Sequence, residues 1–89
     1  MKAIITVIGK DKTGIIYNVS KVLNDYDVNI EDISQTVMQD YFTMLMLVKI
    51  NENKASFKTI KEELDKLSEE IGLSIRIQKE EIFDTMHKI

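Results

Sequence analysis

Gly9-Lys10-Asp11-Lys12-Thr13-Gly14-Ile15-Ile16 joins two different periodicities. Before it, Lys2 to Ile8 is rich in β-branched residues and stops at Gly9, which reads as a strand. After it, Ile15, Ile16, Val19, Val22, Leu23 and Tyr26 fall on one face of a helix of about three turns. Asn18, Lys21, Asn24 and Asp25 take the polar face. A turn from strand into helix at this point presents free backbone N–H groups, which suit a carboxylate or phosphate. Asp11, beside them, suits a cationic amine. A ligand with both an acid and an amine, such as an amino acid, matches that pair of charges.

Working outward, Val28 to Met38 reads as a second strand whose apolar parity switches, so a bulge is expected near Glu31-Asp32. Gln39-Asp40 is a two-residue polar break, the length of a tight hairpin. Tyr41 to Ile50 follows as the strongest strand. Phe42, Met44, Met46, Val48 and Ile50 share one face, and Tyr41, Thr43, Leu45 and Leu47 the other. Apolar residues on both faces indicate a central strand. Asn51-Glu52-Asn53 supplies a loop and an expected N-cap. Phe57, Ile60, Leu64, Leu67 and Ile71 then form a core-facing helical stripe. Its outer face mixes Lys58, Lys61, Glu62, Glu63, Asp65 and Lys66, with pairs such as Glu62–Lys66. Gly72 stands where a left-handed C-cap belongs. Leu73 to Gln78 alternates as an edge strand with one wet face. Ile82, Phe83, Met86 and Ile89 recur as the buried side of a short C-terminal helix, about residues 80–88.

The order is strand, helix, strand, strand, helix, strand. Two right-handed βαβ halves in one sheet give an α+β, ferredoxin-like βαββαβ sandwich with a short C-terminal helix. Strands one and three are central, and both helices lie on one face. The opposite face remains apolar on strands one and three. Either the C-terminal helix or another subunit must cover it, and edge strands can pair across a two-fold axis. A homodimer is therefore expected, with side-by-side and face-to-face packing both open.

The chain of 89 residues is long enough for one domain, 1–89, with its core in about 1–80. Cys is absent, which excludes disulfides, thiolate metal sites and cysteine catalysis. The net charge is -3, and Arg76 is the only Arg, so no basic surface for nucleic acid is expected. The first eight residues are too short for a signal peptide or a membrane span, and a cytoplasmic protein is expected. Glu31 and Asp32 are adjacent on a strand and point to opposite faces, so they do not form a catalytic acid pair. His87, with Asp84 one turn before it, makes a poor metal site, and no metal or cofactor is expected.

Val7-Ile8-Gly9-Lys10-Asp11-Lys12-Thr13-Gly14-Ile15-Ile16 resembles the first strand, Asp-x-Pro-Gly loop and helix start of the ACT domain. Val28-Asn29-Ile30-Glu31-Asp32-Ile33 resembles its second strand. The resemblance covers roughly residues 1–80 and is strongest to short stand-alone members, themselves similar to the ACT domains of the glycine-cleavage transcriptional repressor. Thr13 departs from the pattern, standing where many relatives carry Pro. The resemblance implies a non-enzymatic regulatory module. In the family, amino acids are often held at a dimer interface, between the first loop and a partner's second strand. Carried onto matching positions, the ligand residues are Asp11 and Gly14 with Asn29, and Lys10, Lys12 and Thr13 are loop neighbours. The readout would pass to an effector protein of unknown identity. Plainer readings stay open. Gly9 and Gly14 as turn glycines with positive φ, Asp11 as a helix cap and Asn29 as a strand start give a structural interaction dimer without a ligand.

Overall fold

The computed structural model describes residues 1–10 and 12–82. Its elements are β1 (Lys2–Gly9), α1 (Lys12–Asp25), β2 (Asn29–Met38), β3 (Tyr41–Lys49), α2 (Phe57–Ile71) and β4 (Ser74–Lys79). The four strands form one sheet in the order β2-β3-β1-β4, and every neighbouring pair is antiparallel. The two long strands with apolar residues on both faces, β1 and β3, are central, as their patterns require.

One face of the sheet and the inner sides of both helices make the core. Ala3, Ile5 and Val7 of β1 and Phe42, Met44, Met46 and Val48 of β3 meet Ile15, Val19 and Leu23 of α1 and Ile60, Leu64 and Leu67 of α2. The opposite face carries Ile4, Ile8, Tyr41, Leu45 and Leu47 and is uncovered among the described residues. Ile8, Tyr41 and Leu45 are 41%, 52% and 37% exposed.

The expected bulge is present. The β2–β3 register shifts between Ile30 and Asp32, and the Asp32 carboxylate accepts the Ile33 N–H at 2.9 Å. Beyond the bulge, Ile33, Gln35 and Val37 pair with Met46, Met44 and Phe42. They therefore share the helix side of the sheet, yet all of residues 31–40 are exposed. The hairpin closes with Met38 opposite Tyr41, and Gln39 takes a positive φ of 54°.

The second half of the chain brings corrections. The N-cap of α2 is Ser56, whose Oγ accepts the Thr59 N–H at 3.1 Å, rather than a residue of Asn51-Glu52-Asn53. The Asn51 side chain is engaged locally, accepting the Asn53 N–H at 3.1 Å, and its carbonyl accepts from Lys54 and Ala55. That turn must finish before a helix can start. On the outer face of α2, Lys66 pairs with Glu63 at 3.3 Å and Glu62 with Lys58 at 4.0 Å, not Glu62 with Lys66. Gly72 does cap the C-terminus, at φ 67° and ψ 41°. β4 starts at Ser74, because the Leu73 N–H is drawn back to the Ser68 carbonyl at 3.1 Å. Residues 80–82 are helical, but Ile82 is 49% exposed where burial was expected. Phe83, Met86 and Ile89 lie outside the described residues.

Candidate functional site

The first loop is shorter than its sequence suggests. The helix begins at Lys12, so Lys12, Thr13 and Gly14 form its first turn. Thr13 is exposed and Gly14 is half-buried, and the Asn18 side-chain amide donates to the Gly14 carbonyl at 2.8 Å. Asp11, the residue assigned to an amine, lies outside the described residues.

Neither loop glycine is used for a left-handed turn. Gly9 ends a strand and Gly14 sits in a helix; among described glycines only Gly72 has a positive φ. Gly9 serves close approach instead. A Cβ there would stand 2.7 Å from Ile15 Cδ1 and closer still to Leu73 Cδ2. Leu73 reaches this position because the turn before β4 is held from both sides by Ser68. Its carbonyl accepts the N–H groups of Gly72 and Leu73, and its hydroxyl donates to the Leu73 carbonyl.

Where Gly9 meets Leu73 the end of the sheet is concave. A cleft of about 570 Å³ is lined by Ile8, Lys10, Tyr41, Ile71, Leu73 and Ser74, with Gly9 and Gly72 between them. The Lys10 ammonium lies 5.5 Å from the centre of the Tyr41 ring, within cation–π range. Sequence reading named the Lys10 loop but missed Tyr41, Leu73 and Ser74 as its neighbours. They come from the far ends of β3, α2 and β4, and no local signal joins them.

Asn29 is elsewhere. Strand pairing places Lys2, Lys49 and Asn29 at one end of the sheet and Gly9, Phe42 and Val37 at the other. At ~3.3 Å per residue these ends are about 23 Å apart. Asn29 lines a polar cleft of about 520 Å³ with Met1, Asp27, Lys49, Asn51 and Glu52. Asp27, in the left-handed region at φ 54°, is ion-paired with Lys54 at 3.2 Å. One chain therefore does not bring Asn29 to the first loop.

Among the described residues there is no group of three or more His, Cys, Asp or Glu placed to hold a metal ion, and no helix long and apolar enough to cross a membrane. Asp84 and His87 lie outside the described residues.

The ferredoxin-like sheet with a glycine closing β1 against the α2–β4 turn defines a class of small α+β modules, and the comparisons narrow it. Residues 2–78 match the ACT domain family. A UPF0237 protein of Clostridium acetobutylicum is 54% identical over 89 residues, covering 100% of both chains. An ACT domain protein from Streptococcus pneumoniae superposes with a TM-score of 0.80 at 43% identity, covering 94% of each chain. A putative glycine cleavage system transcriptional repressor shares the fold at a TM-score of 0.75 and 23% identity, over 86% of this chain and 44% of that one. The chain belongs to the ACT domain family, a family of regulatory, ligand-binding modules.

Proposed function

We propose that this chain is a non-enzymatic regulatory module that binds an amino acid across a homodimer interface and signals to a partner protein. The observation that carries this reading is the division of the expected site. The first loop and Asn29 occupy opposite ends of the sheet, while β2 between them is an exposed edge of ten residues. An open edge of that length is a template for another strand. Antiparallel pairing of two β2 strands about Gln35 sets Ile33 of each copy against Val37 of the other, joining residues that are 42% and 65% exposed. The same two-fold axis carries the Asn29 end of one copy to the Tyr41 and Lys10 end of the other. A ligand held between the two copies then stabilises the dimer or shifts its arrangement, which a partner protein reads.

The test is thermal unfolding of the full chain against a panel of free amino acids, paired with sedimentation of a Val37→Lys variant. A ligand that binds only the folded state raises the midpoint with dose. The reading predicts such a rise with at least one amino acid, its loss in Asp11→Ala, and a monomer for Val37→Lys. No rise with any amino acid would sink it. The open apolar face of Ile4, Ile8, Tyr41, Leu45 and Leu47 favours a second reading, a structural interaction dimer without a ligand. Under that reading Asp11→Ala changes nothing.

A further inference from the structure

The cleft beside the first loop has a chemistry that the general reading does not use. Its walls are Ile8, Tyr41, Ile71 and Leu73, and Lys10 is the one charged residue among its described lining. Among the described residues no carboxylate lines it, and Lys10 makes no ion pair with a described residue. The polar cleft at the other end differs, with Asp27, Lys49 and Glu52 mixing both signs around asparagines. The cleft beside the first loop, at about 570 Å³, falls within the range of small-molecule sites, ~300–1,000 Å³.

The cleft is also pre-formed. The wall at Leu73 is held by three hydrogen bonds to Ser68 and seated against Gly9, where a side chain would displace it. The cation at the mouth is steadied over the Tyr41 ring and keeps N–H donors for an acceptor. An apolar wall with one cation is complementary to an apolar body that ends in a carboxylate.

We infer that this cleft selects the ligand, and that it takes an amino acid with an aliphatic or thioether side chain. Lys10 binds the carboxylate, while Ile8, Tyr41, Ile71 and Leu73 enclose the side chain. The inference rests on the amino-acid reading above and adds the ligand class and the selecting residues. The amine is left to the second copy.

Isothermal titration of the full chain with leucine, isoleucine and methionine, beside glycine, serine and isopentylamine, tests it. The three apolar amino acids are expected to bind at least about tenfold more tightly than glycine or serine, the scale on which an apolar pocket separates side chains. Isopentylamine, which lacks the carboxylate, is expected not to bind. Lys10→Ala and the cleft-filling Ser74→Tyr should each weaken leucine binding, and Lys10→Arg should retain most of it. Both altered positions are exposed, so unliganded unfolding midpoints should hold and rule out misfolding. Tighter binding of glycine or serine, or leucine binding indifferent to Lys10→Ala and Ser74→Tyr, overturns the inference and leaves the amino-acid reading standing. No binding of any amino acid overturns both.

Discussion

β1 and β2 lie in the same sheet and are of similar length, eight and ten residues, yet they are held by different means. β1 is paired on both edges, and Ala3, Ile5 and Val7 are fully buried under the helices. β2 is paired on one edge only, and none of its residues is buried. Burial of apolar surface fixes β1, whereas ladder hydrogen bonds and the hairpin fix β2. The difference teaches where each strand can be used. A strand held by burial cannot change partners without unfolding the domain. A strand held by pairing alone has an edge to offer.

The largest expected effect sits on β1. Ile5→Ala removes a fully buried side chain and should cost ~2–5 kcal/mol. Val37→Ala on β2 should change the stability of the monomer by less than ~0.5 kcal/mol. Urea unfolding at low protein concentration compares them directly, and equal losses would erase the distinction between the strands. Next in size is Gly9→Ala, at the end of β1. The added Cβ overlaps Ile15, which is fixed in the core, and Leu73, which is half-buried and can give. A loss of ~1–3 kcal/mol is expected. Leu73→Ala in the same chain should recover part of it, and a double-mutant cycle without coupling would show that the contact is unimportant.

A smaller change of opposite sign belongs to the β2 hairpin. Gln39 holds φ 54°, a region that L side chains enter at a cost. Gln39→Gly should raise stability by about 0.5–1 kcal/mol, the crowding relieved less the entropy glycine loses. A lower thermal midpoint for this variant would mean that the Gln39 side chain itself supports the turn. The smallest effect is on the surface of α1. The hydrogen bond and charge of Asp25, 2.9 Å from the Lys21 ammonium, hold the lysine above its ordinary value. The pair's contribution is therefore full below the unfolded lysine value and lost as pH rises through the raised folded one. The stability gap between this chain and Asp25→Asn should stay constant around neutrality and close only in strong alkali. A gap that closes between neutrality and about pH 9 would contradict the assignment.

The strands and helices were legible because burial on a sheet or helix face leaves a period in the sequence. Phe42, Met44, Met46 and Val48 announce a covered face, and the change of parity between Ile30 and Ile33 announces the bulge. Caps were only partly legible. Gly72 has one common role after a helical stripe, whereas Asn51 and Ser56 are both competent caps, and the local turn at Asn51 decided between them. The site was least legible. Lys10, Tyr41 and the Leu73-Ser74 pair are remote from one another in sequence and meet only because their elements meet at one end of the sheet.

By itself the sequence determined the order of elements, the two central strands, the single helix-covered face and the net charge of -3. Each follows from side-chain type and local period, which do not depend on distant contacts. Only the tertiary structure decided that Gly9 is required by the close approach of Leu73 and Ile15 rather than by a turn, that Asn29 lies at the opposite end of the sheet from the first loop, and that residues 31–40 are exposed. These depend on the direction and register of strand pairing, and no residue carries that information alone.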